Sequence, residues 1–267
     1  MIGSKEKYAL VTGASSGIGY ELAKLFAQDG KNIVVVARSQ DRLEKLKTEI
    51  ENKHGSKVIV VVKDLSKPDA PQEIYSELEK KNVNVDVLVN NAGFPVYGKF
   101  AETDLKEELN MIQVNITSLT HFTKLFLKKM VENKSGWILN TGSVGSFAAS
   151  PLCAIYGASK AYVLSFSEAI ANELQGTGVS VTCLCPGVTD TRYWETGGAE
   201  KSRAARMKKM NAVEAAMVGY RALKKRRVMV IPGLLNSSLI MSYRLLPRKA
   251  VTRVIGYLDG NAQITMM

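Results

Sequence analysis

Histidine occurs only twice in this chain, at His54 and His121, and cysteine only three times. That scarcity leaves no group of ligands with metal-binding spacing, so no metal site is expected. Cys183 and Cys185 stand two apart in one apparent strand and share a face, a poor geometry for a disulfide. The thiols are therefore expected to be small packing residues, as suits a reducing, cytoplasmic setting. No apolar run approaches the roughly 18 residues that a membrane span needs, and the opening "MIGSKEKY" is too polar for a signal peptide. Acidic residues are outnumbered, 25 against 36 Lys and Arg, for a net charge of +11. Such an excess can point to nucleic acid or to an anionic membrane. It gathers in "KSRAARMKK", "RALKKRR" and "YRLLPRKAVTR". None of these interleaves aromatics as a stacking platform for single strands does. Solvated helix faces account for most of the charge, and no nucleic-acid partner is expected.

What the chain has is a rhythm. "YALVT", "IVVVA", "KVIVVVKDL", "VDVLVNNAG", "GWILNTGS", "VSVTCLCPG" and "RVMVIPG" read as strands. Between them lie helical stretches: Ile18 to Asp29, "DRLEKLKTEIENK", one starting near Pro68, a long one from about Asp104 to Glu132, "YGASKAYVLSFSEAIANEL", and one near 211–225. Near-continuous Val/Ile/Leu runs suit strands buried on both faces, and alternation with long helices predicts a doubly wound parallel α/β sheet of about seven strands. With 267 residues and no repeat, linker or composition break, the chain 1–267 is expected to form one domain.

In such a sheet ligands bind beyond the carboxyl ends of the strands, near the topological switch point. The first strand-to-helix turn is "TGASSGIG", Thr12 to Gly19. Gly13 would make the turn, Gly17 would clear space for phosphates at the helix N-terminus, and Gly19 would allow close helix packing. Any tight strand-to-helix turn also uses glycine, so this run alone does not decide the matter. Further on, Tyr156 and Lys160 lie four apart and project from one helix face. A tyrosine with a pKa of about 10 becomes an acid–base catalyst near neutral pH when a cation beside it favours the phenolate. Without context, such a pair is also an ordinary solvated helix face.

The spacing T-G-x-x-x-G-x-G, followed by "NNAG" at 90–93 and "YGASK" at 156–160, resembles the short-chain dehydrogenase/reductase family from about Lys7 to Thr191. The resemblance implies a Rossmann-type fold and a catalytic set of Asn115, Ser143, Tyr156 and Lys160. Tyr156 would be the proton donor, Lys160 its pKa partner and a ribose ligand, Ser143 the group polarising the carbonyl, and Asn115 the support of a water chain. Ser146, three residues on, is a nearby decoy for that role. A dinucleotide would lie against Gly13, Ser15, Ser16, Gly17, Ile18 and Gly19. Asp64 and Leu65 would meet its adenine, and Asn90, Asn91, Ala92 and Gly93 the adenine and its ribose. Pro186, Gly187, Val188, Thr189 and Thr191 would receive the nicotinamide carboxamide and pyrophosphate. NAD binders place an acid at the end of strand two. Here Ala37 stands in that place, followed by Arg38 and Ser39, which favours a 2′-phosphate and hence NADP(H).

The expected reaction is hydride transfer between NADP(H) and a hydrophobic ketone or aldehyde (acyl, steroid-like or aromatic) or the corresponding alcohol. Phe94, Val96, Tyr97, Val144, Phe147, Leu152, Ile155, Tyr193 and Trp194 are expected around the substrate, with 189–210 as a mobile lid. The alternative is a non-catalytic NADP-binding sensor or regulatory subunit, which need not keep the four-residue set. Apolar residues on several faces of the Tyr156 helix suggest a homodimer or homotetramer. The tail 234–267 departs from the family's usual ending. Its mixed leucines and cations fit packing over the cleft or on a subunit better than a membrane surface, although the latter remains open.

Overall fold

The computed structural model describes residues 6–243 and 245–260, without the side chains at 193, 194, 199 and 204. Strands and helices alternate: β1 (Lys7–Thr12), α1 (Gly17–Gln28), β2 (Asn32–Ala37), α2 (Gln40–His54), β3 (Val58–Val62), α3 (Ala70–Lys80) and β4 (Asn84–Asn90). A long helical stretch, α4 (Leu105–Ile112) and α5 (Leu119–Glu132), leads to β5 (Gly136–Thr141), α6 (Ala154–Glu173) and β6 (Val179–Leu184). Then come a small ribbon of β7 (Thr189–Asp190) and β8 (Met210–Asn211), followed by α7 (Ala212–Lys224), β9 (Met229–Val230), α8 (Leu234–Tyr243) and α9 (Arg248–Asp259).

Seven strands pair in parallel in the order β3-β2-β1-β4-β5-β6-β9. The chain winds outward from β1 in one direction through β3, then returns to β4 on the other side of β1. The β1/β4 border is thus the switch point of a doubly wound, Rossmann-type sheet. Both faces are buried, as the apolar runs require. On one side Leu22 and Phe26 of α1, Leu43 and Leu46 of α2, and Leu223 of α7 pack against Val11, Val35 and Val89. On the other, Ile74 and Leu78 of α3, Phe122 and Phe126 of α5, and Ile170 of α6 cover Leu10, Val34 and Leu88.

Two local features sharpen the sequence reading. The third helix starts at Ala70 with Pro71 in its first turn, where a missing N–H costs no helical bond, and Pro68 sits in the turn before it. The long helix is not uniform either, because residues Gln113–Ser118 form a wide π-helical turn between α4 and α5. Such turns alter which side chains face a neighbour, and this one carries Asn115. The three cysteines are free, and the sulfurs of Cys183 in β6 and Cys185 just beyond it lie 3.6 Å apart, far beyond the about 2.0 Å of a disulfide.

Candidate active site

The carboxyl ends of the strands open into a cleft of about 1010 Å³. Its floor is the turn after β1. Gly13 and Gly17 have φ of 67° and 60°, a region that L side chains rarely adopt. A Cβ at Gly13 would come within 2.9 Å of the Ala92 Cα, and one at Gly17 within 2.7 Å of the Thr191 Cγ2. Ser16 precedes α1 in extended backbone and makes no capping hydrogen bond. The first-turn amides of α1 are therefore left for an anionic ligand, reinforced by the helix dipole. The Thr12 hydroxyl accepts from the amides of Asn91 (3.0 Å) and Ala92 (3.1 Å) and donates to the Val89 carbonyl. The Asn91 side-chain amide donates to the Thr12 carbonyl at 3.1 Å. These bonds stitch the ends of β1 and β4 together beneath the site.

The end of the cleft beside β2 and β3 is basic. Arg38, Ser39, Asp64 and Leu65 line it, together with Arg42 and Lys63, which the sequence reading passed over. Burial pushes the Asp64 carboxyl up, but the amide and hydroxyl of Ser66 and the charges of Arg38 and Lys67 outweigh it, so the pKa falls below the ordinary value. Asp64 is thus a charged acceptor within electrostatic reach of Arg38. Arg42, in the first turn of α2, follows Arg38 by four residues, a spacing that was available in "ARSQDR".

Further along the cleft, α6 presents Tyr156 and Lys160 together, with the Lys160 Nζ 5.7 Å from the centre of the Tyr156 ring. Lys160 is only 5% exposed and donates to the Thr141 carbonyl at 2.8 Å. Burial pulls its pKa down to about 8. Ser143 and Val144 close the same region. The Ser143 hydroxyl accepts from the Gly145 amide at 3.0 Å. Ser146 instead works as a brace: its hydroxyl donates to the Lys160 carbonyl at 2.8 Å and accepts from the Ser143 amide at 3.1 Å. That ties the Ser143 loop to the turn of α6 carrying Lys160. Asn115 lies behind the cleft wall, not on it, and bonds both backbone groups of Phe94 and the Ser159 hydroxyl at 3.1 to 3.2 Å. Ser159 in turn donates to the Tyr156 carbonyl at 2.7 Å.

The depressed Lys160 carries a pH signature. An unfolded lysine keeps its proton to the ordinary value of 10.5, whereas the folded one releases it near 8, so the unfolded chain binds more protons across that interval. Stability contributed by this group must rise with pH there. Lys160→Met should flatten that rise by about 1–3 kcal/mol relative to the unsubstituted protein, as read by denaturant unfolding at several pH values. Parallel stability profiles for the two proteins would show that Lys160 titrates normally.

All of the proposed dinucleotide residues line the cleft except Gly19 and Asn90. Gly19 is buried, and a Cβ there would stand 2.6 Å from the Gly13 carbonyl oxygen, so it keeps α1 against the turn. Asn90 is corrected: it is buried, and its side chain donates to Thr123 and to Asn140, which bridges to Ser167. It braces β4 against β5 and leaves the cleft to Asn91. Among the expected substrate neighbours, Phe94, Tyr97 and Val144 line the cleft, whereas Val96, Phe147, Leu152 and Ile155 do not. Phe147 packs on the cluster formed by Leu119, Val163, Leu164, Cys183 and Cys185. Leu152 has φ of 64°, and its carbonyl receives the Gly98 amide. Ile155 precedes Tyr156 directly, so the helix turns it to another face. The side chains of Tyr193 and Trp194 lie outside the described residues. In their place the cleft is walled by Cys153 and, from the tail, by Leu239, Tyr243, Ile255, Leu258 and Asp259. Burial raises Cys153 to about 12 and Asp259 to about 7, marking this end as poorly solvated.

A tyrosine–lysine pair thus faces a cleft at the switch point of a doubly wound sheet, and comparison with known proteins makes the chain an oxidoreductase. The chain belongs to the short-chain dehydrogenase family, whose profile, described as "short chain dehydrogenase", matches residues 7–202. It is 32% identical over 213 residues to an uncharacterised oxidoreductase of Staphylococcus epidermidis, covering 80% of this chain and 90% of that protein. It is 35% identical over 188 residues to a very-long-chain 3-oxoacyl-CoA reductase of Phaeosphaeria nodorum, covering 68% of this chain and 54% of that longer protein. The structure superposes on a short-chain dehydrogenase from Sphingobium yanoikuyae in complex with NADPH with a TM-score of 0.79, at 29% identity, covering 90% of this chain and 93% of that one.

Proposed function

We propose that the protein is an NADPH-dependent carbonyl reductase acting on a hydrophobic ketone or aldehyde. The observation that carries this reading is the buried Lys160 cation beside Tyr156, both facing a cleft that also gathers Ser143. Bound NADPH would supply the hydride that reaches the carbonyl carbon. The chain's own part is to hold that carbon in place and to deliver a proton to the oxygen. Ser143 donates a hydrogen bond to the oxygen as negative charge gathers on it. Tyr156 gives its phenolic proton to the same oxygen, completing the alcohol, and Lys160 stabilises the phenolate left behind. Asn115 fixes the Phe94 backbone and, through Ser159, the backbone of Tyr156.

The site suits the phosphorylated cofactor. Ala37 offers no carboxylate at the end of β2, while Arg38, Arg42, Lys63 and Ser39 supply donors for a 2′-phosphate. NADPH in the Sphingobium relative supports the same choice. A hydrophobic substrate is supported by Phe94, Leu239, Ile255 and Leu258 on the walls, and by the acyl-chain reductase among the relatives. The segment 189–210 would act as the substrate lid: it is built of short helical turns and meets the rim where the Tyr97 amide donates to the Gly197 carbonyl. A homodimer or homotetramer in the cytoplasm completes the reading, with Tyr162 of α6 and Leu105 and Leu109 of α4 exposed for subunit contact.

A panel of ketones and aldehydes of increasing chain length, followed by loss of NADPH absorbance, tests the proposal. Turnover of long-chain or polycyclic carbonyls with NADPH, and weaker turnover of short polar ones, is the expected result. NADPH binding with no turnover across the panel would favour the non-catalytic sensor.

A further inference from the structure

Of the sixteen large apolar side chains that are exposed among the described residues, eight lie between Leu234 and Tyr257. Leu234 and Leu235 are each 88% exposed, Leu245 87% and Met241 62%. On α8, Leu234, Ser238 and Met241 recur at the spacing of one helix face with Leu235 and Leu239 beside them, opposite the buried Ile240, and Leu245 follows in the turn after the helix, so the exposure is gathered on one outward side. The opposite side is anchored: Ile240, Val251 and Gly256 are buried, and Leu239, Tyr243, Ile255 and Leu258 wall the cleft.

Charge says what the outer face meets. From Leu234 to Leu258 the sequence has four basic residues and no Asp or Glu. Arg248, Lys249 and Arg253 are exposed and form no ion pair among the described residues. Elsewhere many surface lysines have a carboxylate partner, for example Lys53 with Glu49 and Lys129 with Glu79. Leucines surrounded by unpaired cations complement a surface that is apolar beneath and anionic above, which describes the interface of an acidic bilayer.

We propose that the outer face of α8, α9 and the turn between them docks the protein on an anionic lipid surface. No described helix is long and apolar enough to cross a membrane, so the leucines would enter the acyl boundary while Arg248, Lys249 and Arg253 meet headgroup phosphates. If the reading of the cleft as a reductase site holds, its tail wall is then the membrane-facing wall. Leu239 both lines the cleft and is 42% exposed, which gives a lipid-borne carbonyl a route into it.

Vesicle co-sedimentation of the full chain tests docking without reference to catalysis. Vesicles of phosphatidylcholine alone and of phosphatidylcholine with phosphatidylglycerol are compared at low and high salt. The protein should pellet with the anionic vesicles at low salt and be released by high salt. Leu234→Ser/Leu235→Ser/Leu245→Ser should weaken binding by about a hundredfold. Arg248→Glu/Lys249→Glu/Arg253→Glu should weaken it at least about tenfold. These side chains are exposed, so an unchanged thermal unfolding midpoint keeps the comparison to the surface. Failure of the unsubstituted protein to pellet with anionic vesicles would overturn the proposal. So would a solution mass that falls in the leucine variant while neither protein binds vesicles, because the face would then be a contact between copies of this chain.

Discussion

Tyr156→Phe should lower turnover by about two to four orders of magnitude, the usual contribution of a positioned acid–base group, while NADPH binding survives. The substitution removes one hydroxyl and keeps the ring that lies 5.7 Å from the Lys160 ammonium, so the packing around that cation is preserved. Lys160 itself remains held by the Thr141 carbonyl and by the Ser146 brace on its own backbone. The Ser143 loop keeps its bonds to Gly145 and Ser146. In the proposed reaction, what is lost is the proton source for the substrate oxygen. A selective fall in turnover, with cofactor affinity measured by fluorescence titration close to that of the unsubstituted protein, is therefore the expected pattern. Turnover within a fewfold of normal would remove Tyr156 as the donor. A matching loss of cofactor affinity would mean that the hydroxyl works chiefly as a ribose ligand.

The sheet was legible because its information is local. Ile33 to Val36 are wholly buried, and a run of that kind admits a central parallel strand and little else. The glycine turn was equally legible, since positive φ at Gly13 and Gly17 demands a residue that the sequence displays openly. Roles that depend on which of two adjacent residues faces inward were harder. Asn90 and Asn91 are alike in composition, and only the alternation of β4 sends the first into the sheet layer and the second to the cleft. Ser143 and Ser146 are separated in the same way by hydrogen bonds that no sequence spacing reveals. The substrate end was the least legible. Its walls combine Tyr97, Cys153 and residues of α8 and α9 that lie far along the chain from both, a long-range assembly with no local pattern. Asp259 follows a long stretch without acids and shows its place only when α9 is folded back over the cleft.

The second large effect is expected at the other end of the cleft. Arg38→Asp should weaken NADPH binding by about ten- to a hundredfold, since charge-assisted hydrogen bonds contribute about 1.5–3 kcal/mol and each 1.4 kcal/mol is tenfold. NADH lacks the 2′-phosphate, so its affinity should hold or improve. The new carboxylate would stand one residue beyond Ala37, near where NAD binders keep an acid for the ribose hydroxyl. Arg38 is exposed, which makes the change safe for folding. Two neighbours temper its size. Arg42 and Lys63 line the same region and would still attract the phosphate, although Lys63 is partly engaged by Glu73 at 2.7 Å. Arg42→Ala added to Arg38→Asp should therefore lower the NADPH-to-NADH affinity ratio further, and by more than Arg42→Ala does alone. Asp64 pulls the other way. With Arg38 gone, one of the charges that holds its carboxyl below the ordinary range is lost, and two acids then face the phosphate together. Parallel titrations of both cofactors against the unsubstituted, single and double variants decide the matter. An NADPH-to-NADH affinity ratio that stays constant through the series would take the basic end of the cleft out of cofactor choice altogether.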